Sequence, residues 1–352
     1  MAPHHDHAAC LSRRHLLGGV AALAAAGALP TRSFAQTPYR IDTHYHFFPP
    51  AYLEPLAEWG KRTGAGGLAP VQRDWSVNRA LDEMDRTATA TGVLSISTPG
   101  VWFGEVEEAR RMARLCNDYG AQMRRDHPGR FGLFAAVPMP DVEGSLREIA
   151  YAFDTLKADG IGFMTSYGDK WPGDPAYRPV FEELNRRKAV AYFHPLAPNC
   201  CGSLVAGLPP SALEYPYDTG RAAVSLLING NFARYRDIKW LFSHAGAAIP
   251  VLAGRIGNVV RGRKDVAEIA PDGVEKELQR LYYDTANSAF APTLAALMAF
   301  VPTKQILFGS DYPYYTIAEN VANMDKLKIT PADRRAIDHD NALRLLPQLG
   351  VV

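Results

Sequence analysis

Two histidines placed two residues apart are the first feature of this chain that could do chemistry. His44 ends the predicted strand Ile41–His44, and His46 follows it just before Pro49 and Pro50. Because side chains alternate along an extended strand, both imidazoles project from the same side and can reach one ion. Two nitrogens leave a coordination sphere unfinished. Since His-x-His pairs also occur by chance on surfaces, the hypothesis of a metal site needs further ligands.

Three other residues of suitable chemistry stand at or just after the ends of later predicted strands. They are His194, His244 and Asp311. A single histidine after a strand is more often a core or capping residue than a ligand. Four histidines and one aspartate at the ends of parallel strands, however, would meet on one rim of the fold. This convergence favours a metal-binding active site over isolated surface residues.

The elements that must position these residues alternate regularly between strand and helix. The predicted strands are Ile41–His44, Gly92–Ser97, Phe131–Val137, Gly160–Thr165, Val190–His194, Ile238–His244, Leu281–Thr285 and Gln305–Ser310. Helical periodicity is seen at Val77–Thr89, Glu105–His127, Leu146–Asp159, Tyr177–Lys188, Leu213–Asn229, Ile249–Arg261 and Pro292–Phe300. Repeated alternation predicts an α/β fold, a closed (β/α)8 barrel of the TIM type. The alternative is an open doubly wound sheet. That fold typically has a glycine-rich phosphate-binding turn after the first strand, where this chain has histidines instead.

The motifs at these strand ends resemble those of the amidohydrolase superfamily, whose fold is a barrel of the metal-dependent hydrolase type. The resemblance rests on His44-x-His46, on His194 followed by Pro195, on Ser243–Gly246 and on Phe308–Pro313. It extends over residues 36–352. Within the superfamily the chain resembles the amidohydrolase-related branch that contains the aminocarboxymuconate semialdehyde, 6-methylsalicylate and γ-resorcylate decarboxylases.

The resemblance implies one divalent metal ion and no organic cofactor. The implied ligands are His44, His46, His194 and Asp311. Many binuclear members carry a carboxylated lysine at the end of strand four, but the run Gly160–Ser166 contains no lysine. Zn²⁺ suits the nitrogen-rich ligand set, and Mn²⁺ is the alternative.

Catalytic roles follow for His244 and Asp311, and a binding role for Arg255. An imidazole beside a metal-activated water is matched to moving protons at neutral pH, which is the role predicted for His244. Asp311 could both hold the metal and exchange a proton. The resemblance implies that Arg255 binds a substrate carboxylate, although by itself it could be an ordinary arginine on a helix surface. Four aromatic residues that follow strands two, four and eight are candidates for the pocket wall: Trp102, Phe103, Trp171 and Tyr314.

The N-terminal residues are typical of a bacterial twin-arginine export signal. Arg13 and Arg14 precede the mildly apolar run Gly18–Leu29, and small residues lead to a predicted cleavage after Ala35. The alternative, a membrane anchor, is less favoured because the run is shorter than the ~20 residues that span a bilayer. We therefore expect residues 1–35 to be removed. Residues 36–352 would form one barrel domain in the periplasm or outside the cell.

Bulk composition limits the kinds of partner. The chain has 38 Lys and Arg against 37 Asp and Glu, without a basic run, which argues against nucleic acid or an anionic membrane as partner. After removal of the signal, Cys116 and the adjacent Cys200 and Cys201 remain, and their spacing does not match a disulfide framework. The expected partner is a small carboxylic acid substrate. The resemblance also implies a homodimer.

Two functions remain open from the sequence. The first is a metal-dependent, non-oxidative decarboxylase of a small hydroxylated aromatic or unsaturated carboxylic acid. The second is a hydrolase of a lactone or amide that uses the same residues and a metal-activated water. An arginine facing the metal would favour decarboxylation, because it could bind the substrate's carboxylate. The export signal slightly favours a hydrolase, because catabolic decarboxylases are usually cytoplasmic.

Overall fold

In the part of the chain that the structure describes, eight parallel strands form a sheet in which each strand pairs with the next, from β1 to β8. The strands are β1 (Arg40–His46), β2 (Thr89–Ser95), β3 (Phe131–Ala136), β4 (Gly160–Met164), β5 (Val190–His194), β6 (Lys239–Phe242), β7 (Tyr282–Asp284) and β8 (Ile306–Leu307). Backbone hydrogen bonds from Thr43 N to Phe308 O (2.9 Å) and from His46 N to Tyr312 O (2.8 Å) bring β1 against the end of β8. The sheet thus curves into the predicted (β/α)8 barrel.

Helices connect the strands and cover the outside of the sheet. In chain order they are α1 (Pro50–Thr63), α2 (Pro70–Arg73), α3 (Val77–Arg86), α4 (Val106–Asp126), α5 (Val142–Asp154), α6 (Arg178–Arg186), α7 (Pro210–Ile228), α8 (Asn231–Arg234), α9 (Ile249–Val260), α10 (Val266–Ile269), α11 (Val274–Gln279), α12 (Ala291–Phe300), α13 (Ile317–Asp325), α14 (Pro331–Arg335) and α15 (Asn341–Leu345). Short 3₁₀ and π turns lie between some of them. Most predicted helices agree with these bounds to within a few residues.

Two differences from the sequence prediction have clear local causes. Helix α5 spans Val142–Asp154, so it begins and ends earlier than the predicted Leu146–Asp159. Lys157 has a positive φ of 55°, which an α-helix does not accommodate. Strand β6 ends at Phe242, before His244, because the chain turns there through several residues with positive φ.

The interior of the barrel is filled with packed side chains, which contact the residues at the rim. One buried cluster takes apolar side chains from six of the described strands, among them Ile41, Phe134, Tyr192 and Leu307. The Tyr192 ring lies edge-on to the ring of His44, with centroids 5.5 Å apart. Such close packing limits the positions that the His44 ring can take.

The computed structural model describes residues 39–202 and 204–350, and these belong to one compact unit. The predicted export signal, residues 1–35, lies outside the described residues. None of the helices in the described part of the chain is long and apolar enough to cross a membrane.

Candidate metal centre and active site

Four side chains from three strand ends meet at the rim of the barrel. His44 and His46 come from β1, His194 ends β5, and Asp311 follows β8. One ligand atom from each lies within 4.8 Å of the others, and all four residues are buried. The Nε2 atoms of His44 and His46 are 3.0 Å apart, and Asp311 Oδ1 is 3.1 Å from His46 Nε2. The structure thus brings the four predicted ligands together.

The hydrogen bonds behind the two β1 histidines test whether these residues fit a metal. His44 Nδ1 lies 2.9 Å from Asp284 Oδ2, and His46 Nδ1 lies 3.1 Å from the Ser95 carbonyl oxygen. Because both partners are acceptors, each Nδ1 carries a hydrogen, and Nε2 of each ring is the atom that faces the site and offers a lone pair when the ring is neutral. Two lone pairs at this distance repel unless a cation satisfies them. Ligand atoms about 3 Å apart suit a metal bonded at about 2.1 Å to each, so the donor set fits a divalent ion.

The charges around the site favour a cation in the same place. Burial lowers the pKa of His44, but the charges of Asp284 and Asp311 outweigh burial and raise that pKa to about 10. Burial would also raise the pKa of Asp311, yet hydrogen bonds with His44 and His46 hold it well below its usual range. The pKa of His194 lies well below its usual value because of burial and the neighbouring histidines. The metal-free site is therefore expected to hold one proton, on His44, where a metal would bind.

We predict that binding of a divalent metal at pH 8 releases about one proton per ion, since His44 must become neutral to act as a ligand. Between pH 7 and about 10 the apparent affinity should rise about tenfold per pH unit, because the fraction of neutral His44 rises in that proportion. Calorimetric titrations in buffers of different ionisation enthalpy measure the released protons. Asp284→Asn should reduce the release, because Asp284 is the main cause of the raised pKa. Binding without proton release in the wild type would contradict the prediction.

Asp284, at the end of β7, positions two parts of the site at once. Its Oδ2 accepts from His44 Nδ1, while its Oδ1 accepts from the backbone N–H of His244 at 2.9 Å and of Ala286 at 3.0 Å. The carboxylate is fully buried. Partners that orient metal-bound histidines in this way also raise their basicity. Asp284 therefore couples the position of a metal ligand to the turn that carries His244.

Asp42 and Ser310 fix the ligands of β1 relative to the loop after β8. Asp42 Oδ1 accepts from the backbone N–H of His44 at 3.0 Å and of Ser310 at 3.1 Å, and its Oδ2 accepts from the Ser310 hydroxyl. Asp311 has a φ of 67°, and its N–H donates to the His44 carbonyl. This left-handed conformation is uncommon for a non-glycine residue and is held here by the hydrogen bonds on either side.

His244 lies beside the four ligands but outside their group. Its Nδ1 is 2.8 Å from the Ala286 carbonyl oxygen, which can only accept, so Nδ1 carries the hydrogen and Nε2 is free to take a proton. Its ring centroid is 4.9 Å from that of His44 and 6.0 Å from that of His194. Burial, together with His44, lowers the pKa of His244. The placement agrees with the predicted role in proton transfer, which remains a prediction.

A cavity of about 830 Å³ lies next to these residues, and both apolar and polar side chains line it. It is lined by Gln72, Ser97, Thr98, His194, Pro209, Ser211, Ala212, Tyr215, Pro216, His244, Ala247, Asn287, Ser288, Phe290, Thr293, Asp311, Tyr314 and Tyr315. Among the described residues that line it, none is lysine or arginine. The cavity is large enough for a substituted aromatic acid.

Arg255 is the predicted site residue that the structure does not bring to this cavity. It lies on α9 with its side chain exposed, outside the cavity lining. Of the four aromatic residues predicted for the pocket wall, Tyr314 lines the cavity. The other three, Trp102, Phe103 and Trp171, are not among its lining residues. Sequence reasoning did not single out Gln72, Tyr215 and Asn287, because they come from separate connections and follow no local pattern.

The fold and this site together define a metal-dependent barrel enzyme of the amidohydrolase type. Residues 41–348 match the family model described as Amidohydrolase (Amidohydro_2), and the chain belongs to this family.

Several known proteins are similar to the chain over most of its length. The decarboxylase macB of Penicillium terrestre is 33% identical over 329 residues, which cover 89% of this chain and 96% of that protein. The 6-methylsalicylic acid decarboxylase of Penicillium expansum is 32% identical over an alignment that covers 88% of this chain and 97% of that protein. A crystal structure of dihydroxybenzoic acid decarboxylase from Polaromonas sp. JS666, with bound manganese and 2-nitroresorcinol, has a TM-score of 0.76 and 22% identity, and covers 90% of this chain and 98% of that chain.

Proposed function

We propose that this protein is a metal-dependent, non-oxidative decarboxylase, a carbon–carbon lyase, of a small hydroxylated aromatic carboxylic acid. The observation that carries the proposal is the group of His44, His46, His194 and Asp311, of which His194 and Asp311 line one cavity together with His244. The two similar Penicillium proteins, both decarboxylases and more than 30% identical, support the reaction type. They favour it over hydrolysis of a lactone or amide.

The chain supplies the groups that such a reaction needs. A divalent metal held by the four ligands would act as a Lewis acid towards negative charge on substrate oxygen. Asp311, or His244 through its Nε2, delivers a proton to the ring carbon that bears the carboxylate. That carbon becomes tetrahedral, its bond to the carboxylate breaks, carbon dioxide leaves, and the bonding electrons restore the aromatic ring. One proton is consumed and no oxidant is required.

The cavity wall favours an acid with a single carboxylate. Tyr215, Phe290 and Tyr314 offer apolar and aromatic surface, and Thr98 and Asn287 offer neutral hydrogen-bonding groups. A second carboxylate on the substrate would find no lysine or arginine among the described lining residues, and burying an unpaired charge is costly. A hydroxybenzoate with an apolar substituent therefore fits the wall better than a dicarboxylic acid.

Release of carbon dioxide by residues 36–352 tests this proposal. The protein would be stripped of metal, reloaded with Zn²⁺ or Mn²⁺, and offered substituted 2-hydroxybenzoates and muconate-type acids. We expect release with 2-hydroxybenzoates that depends on the added metal. Turnover of aryl lactones without release from any acid would contradict the proposal. The ion that restores more activity, compared with the metal present in protein as purified, identifies the native metal, for which we propose Zn²⁺ with Mn²⁺ as the alternative.

Export is a further part of the proposal. Arg13 and Arg14 and the small residues before Gln36 support a twin-arginine signal that is cleaved to place the enzyme in the periplasm or outside the cell. Fractionation of a bacterial host should show a shortened chain in the periplasm. It should show a full-length chain in the cytoplasm when both arginines are replaced by lysine.

We also propose that the enzyme is a homodimer. An apolar groove of about 510 Å³ lies between α7 and α9, and the side chains of Val251 and Val259 on α9 are 68% and 70% exposed. Light scattering should show a dimer. The double substitution Val251→Asp and Val259→Asp should yield monomers, because two charges would be buried in the interface. Val106→Asp, at an exposed valine on α4, is the control. A monomeric wild type at micromolar concentration would contradict the proposal.

A further inference from the structure

Residues 194–196, the His194 segment, carry the third predicted metal ligand and are held by the end of the neighbouring strand β4. Thr165 is the first residue after β4, and its backbone N–H donates to the carbonyl oxygen of His194 at 3.0 Å. Its hydroxyl oxygen accepts from the backbone N–H of Leu196 at 3.2 Å. Because Pro195 has no N–H, the Leu196 N–H is the first backbone donor after His194. Thr165 thus contacts the backbone on both sides of Pro195.

Asp218 fixes the direction in which the Thr165 hydroxyl points. This aspartate lies on α7, is fully buried, and accepts through Oδ2 from Thr165 Oγ1 at 2.6 Å. A hydroxyl has one hydrogen to donate. The bond to Asp218 therefore commits that hydrogen and leaves a lone pair of Oγ1 for the Leu196 N–H. Without the carboxylate, the hydroxyl could rotate away from this arrangement.

The other contacts of Asp218 hold its carboxylate in place without reaching the metal ligand. Its Oδ2 also accepts from the Ser166 hydroxyl at 3.0 Å, and its Oδ1 accepts from the Trp171 indole N–H at 2.7 Å. These donors offset the cost of burying the charge. Among the described residues, no hydrogen bond joins Ser166 or Trp171 to the His194 segment. Of the donors to Asp218, Thr165 is the one that connects it to a ligand.

A second threonine, Thr98, contacts the other side of the same segment. Its hydroxyl donates to the Pro195 carbonyl oxygen at 2.6 Å, and its Oγ1 lies 3.4 Å from His194 Nδ1. Thr98 also lines the cavity, so its replacement would change the cavity wall together with the segment. Thr165 is not among the lining residues. A substitution at Thr165 therefore tests the position of His194 separately from contacts to substrate.

We propose that Thr165, oriented by Asp218, is a positioning residue that sets the place of His194 in the metal site. This inference rests on the metal centre of the proposed function and extends the support of that centre to α7. The two histidines of β1 are oriented by acceptors at their own rings. His194 is instead positioned mainly through the backbone of its segment. Partners behind a metal ligand typically contribute about 10- to 100-fold to metal affinity.

Thr165→Val removes the hydroxyl and nearly keeps the shape of the side chain. We expect the dissociation constant for Zn²⁺ to rise about 10- to 100-fold, measured by competition with a chromophoric chelator. The visible absorption spectrum of Co²⁺-loaded protein should change as well, because it depends on the arrangement of the ligands. Thr165→Ser keeps the hydroxyl and should restore the affinity and the spectrum of the wild type.

Ser166→Ala is the matched control for the valine substitution. It removes the other hydroxyl that donates to Asp218 Oδ2 but leaves the contacts of the His194 segment in place. Both variants deprive a buried carboxylate of one donor, so both should lower the midpoint of thermal unfolding. Only Thr165→Val should change the metal affinity and the Co²⁺ spectrum. A loss of stability alone would not produce this difference.

Asp218→Asn tests the orienting role of the carboxylate. The indole N–H of Trp171 can only donate, whereas the hydroxyls of Thr165 and Ser166 can also accept. The amide oxygen should therefore face Trp171, and the amide NH₂ should face the hydroxyls. The Thr165 hydroxyl then loses its acceptor, and we expect metal affinity to fall towards that of Thr165→Val. The double variant should bind metal no more weakly than Thr165→Val alone, because both changes act through one hydrogen bond.

The outcomes separate this inference from the proposed function, since none of these measurements needs turnover. Unchanged metal affinity and an unchanged Co²⁺ spectrum in Thr165→Val would overturn the role of Thr165. Equal loss of affinity in Ser166→Ala would overturn it too, because the end of β4 would then act as a whole. Wild-type affinity in Asp218→Asn would show that Asp218 does not orient Thr165. The expected metal binding in a protein that released no carbon dioxide from any acid would reject the proposed function and keep the inference.

Discussion

Replacement of Asp311 by asparagine is expected to lower carbon dioxide release by at least about 10³-fold, because a metal ligand and an acid–base group are lost together. The amide has nearly the shape of the carboxylate, so the turn after β8 should be kept. It lacks the negative charge that lies 3.1 Å from His46 Nε2. Metal content, measured on dialysed protein, should fall as well. The assay is turnover of the preferred acid at saturating Zn²⁺ or Mn²⁺.

Asp265→Asn provides the control for the Asp311 substitution. Asp265 forms an exposed ion pair with Arg263, and removing one surface carboxylate should leave turnover and metal content unchanged. If Asp311→Asn kept more than about one tenth of the wild-type rate, the assignment of Asp311 as both ligand and acid–base residue would be wrong.

Replacement of His244 by asparagine is expected to lower kcat about 10²- to 10⁴-fold, the usual contribution of a general acid–base group. Asparagine is chosen because His244 has a φ of 54°, a conformation that asparagine tolerates better than most residues. Its amide N–H can also donate to the Ala286 carbonyl, as His244 Nδ1 does. The measurement is kcat together with bound metal per chain.

The metal content of the His244→Asn variant shows whether His244 is a metal ligand or a proton-transfer residue. The four ligand atoms lie within 4.8 Å of one another without His244, so the asparagine variant should bind metal as the wild type does. Loss of metal in parallel with activity would instead make His244 a ligand. An unchanged kcat would exclude it from proton transfer.

The barrel and its metal ligands could be predicted because both follow from regular patterns. Strand and helix alternate through the chain, and the carboxyl ends of parallel strands must share one rim. His194 ends β5, and the two β1 histidines end their strand as expected. The position of His244 could not be predicted from β6 alone, because the strand ends at Phe242 and His244 lies in the turn that follows. His244, Ala245 and Ala247 all have positive φ, a conformation that residue preferences do not predict for them.

The placement of Arg255 depended on the rotation of one helix. Residues four apart lie on the same face of an α-helix, and Arg255 shares a face of α9 with the exposed Val251 and Val259. Ala253 and Val260 are buried instead. The resemblance implied that this arginine binds a substrate carboxylate. It did not show which way the side chain would point.

Apart from Tyr314, the residues of the cavity wall described above could not be predicted, because they meet only in the folded chain. Gln72 lies on α2, Tyr215 on α7, and Tyr314 on the connection before α13. The hydrogen bond between Gln72 and Tyr314 joins residues that are 242 positions apart. No local spacing relates them, so substrate recognition is the part of the function for which the structure was needed.

Decarboxylation in D₂O tests the central claim most directly. Metal-loaded protein would act on the preferred 2-hydroxybenzoate, and the product would be analysed by mass spectrometry and NMR while carbon dioxide and oxygen are followed. The proposed mechanism predicts one carbon dioxide per phenol, one deuterium at the carbon that carried the carboxylate, and no oxygen uptake. Oxygen consumption, or turnover of lactones or amides with no carbon dioxide from any acid, would contradict a non-oxidative decarboxylase.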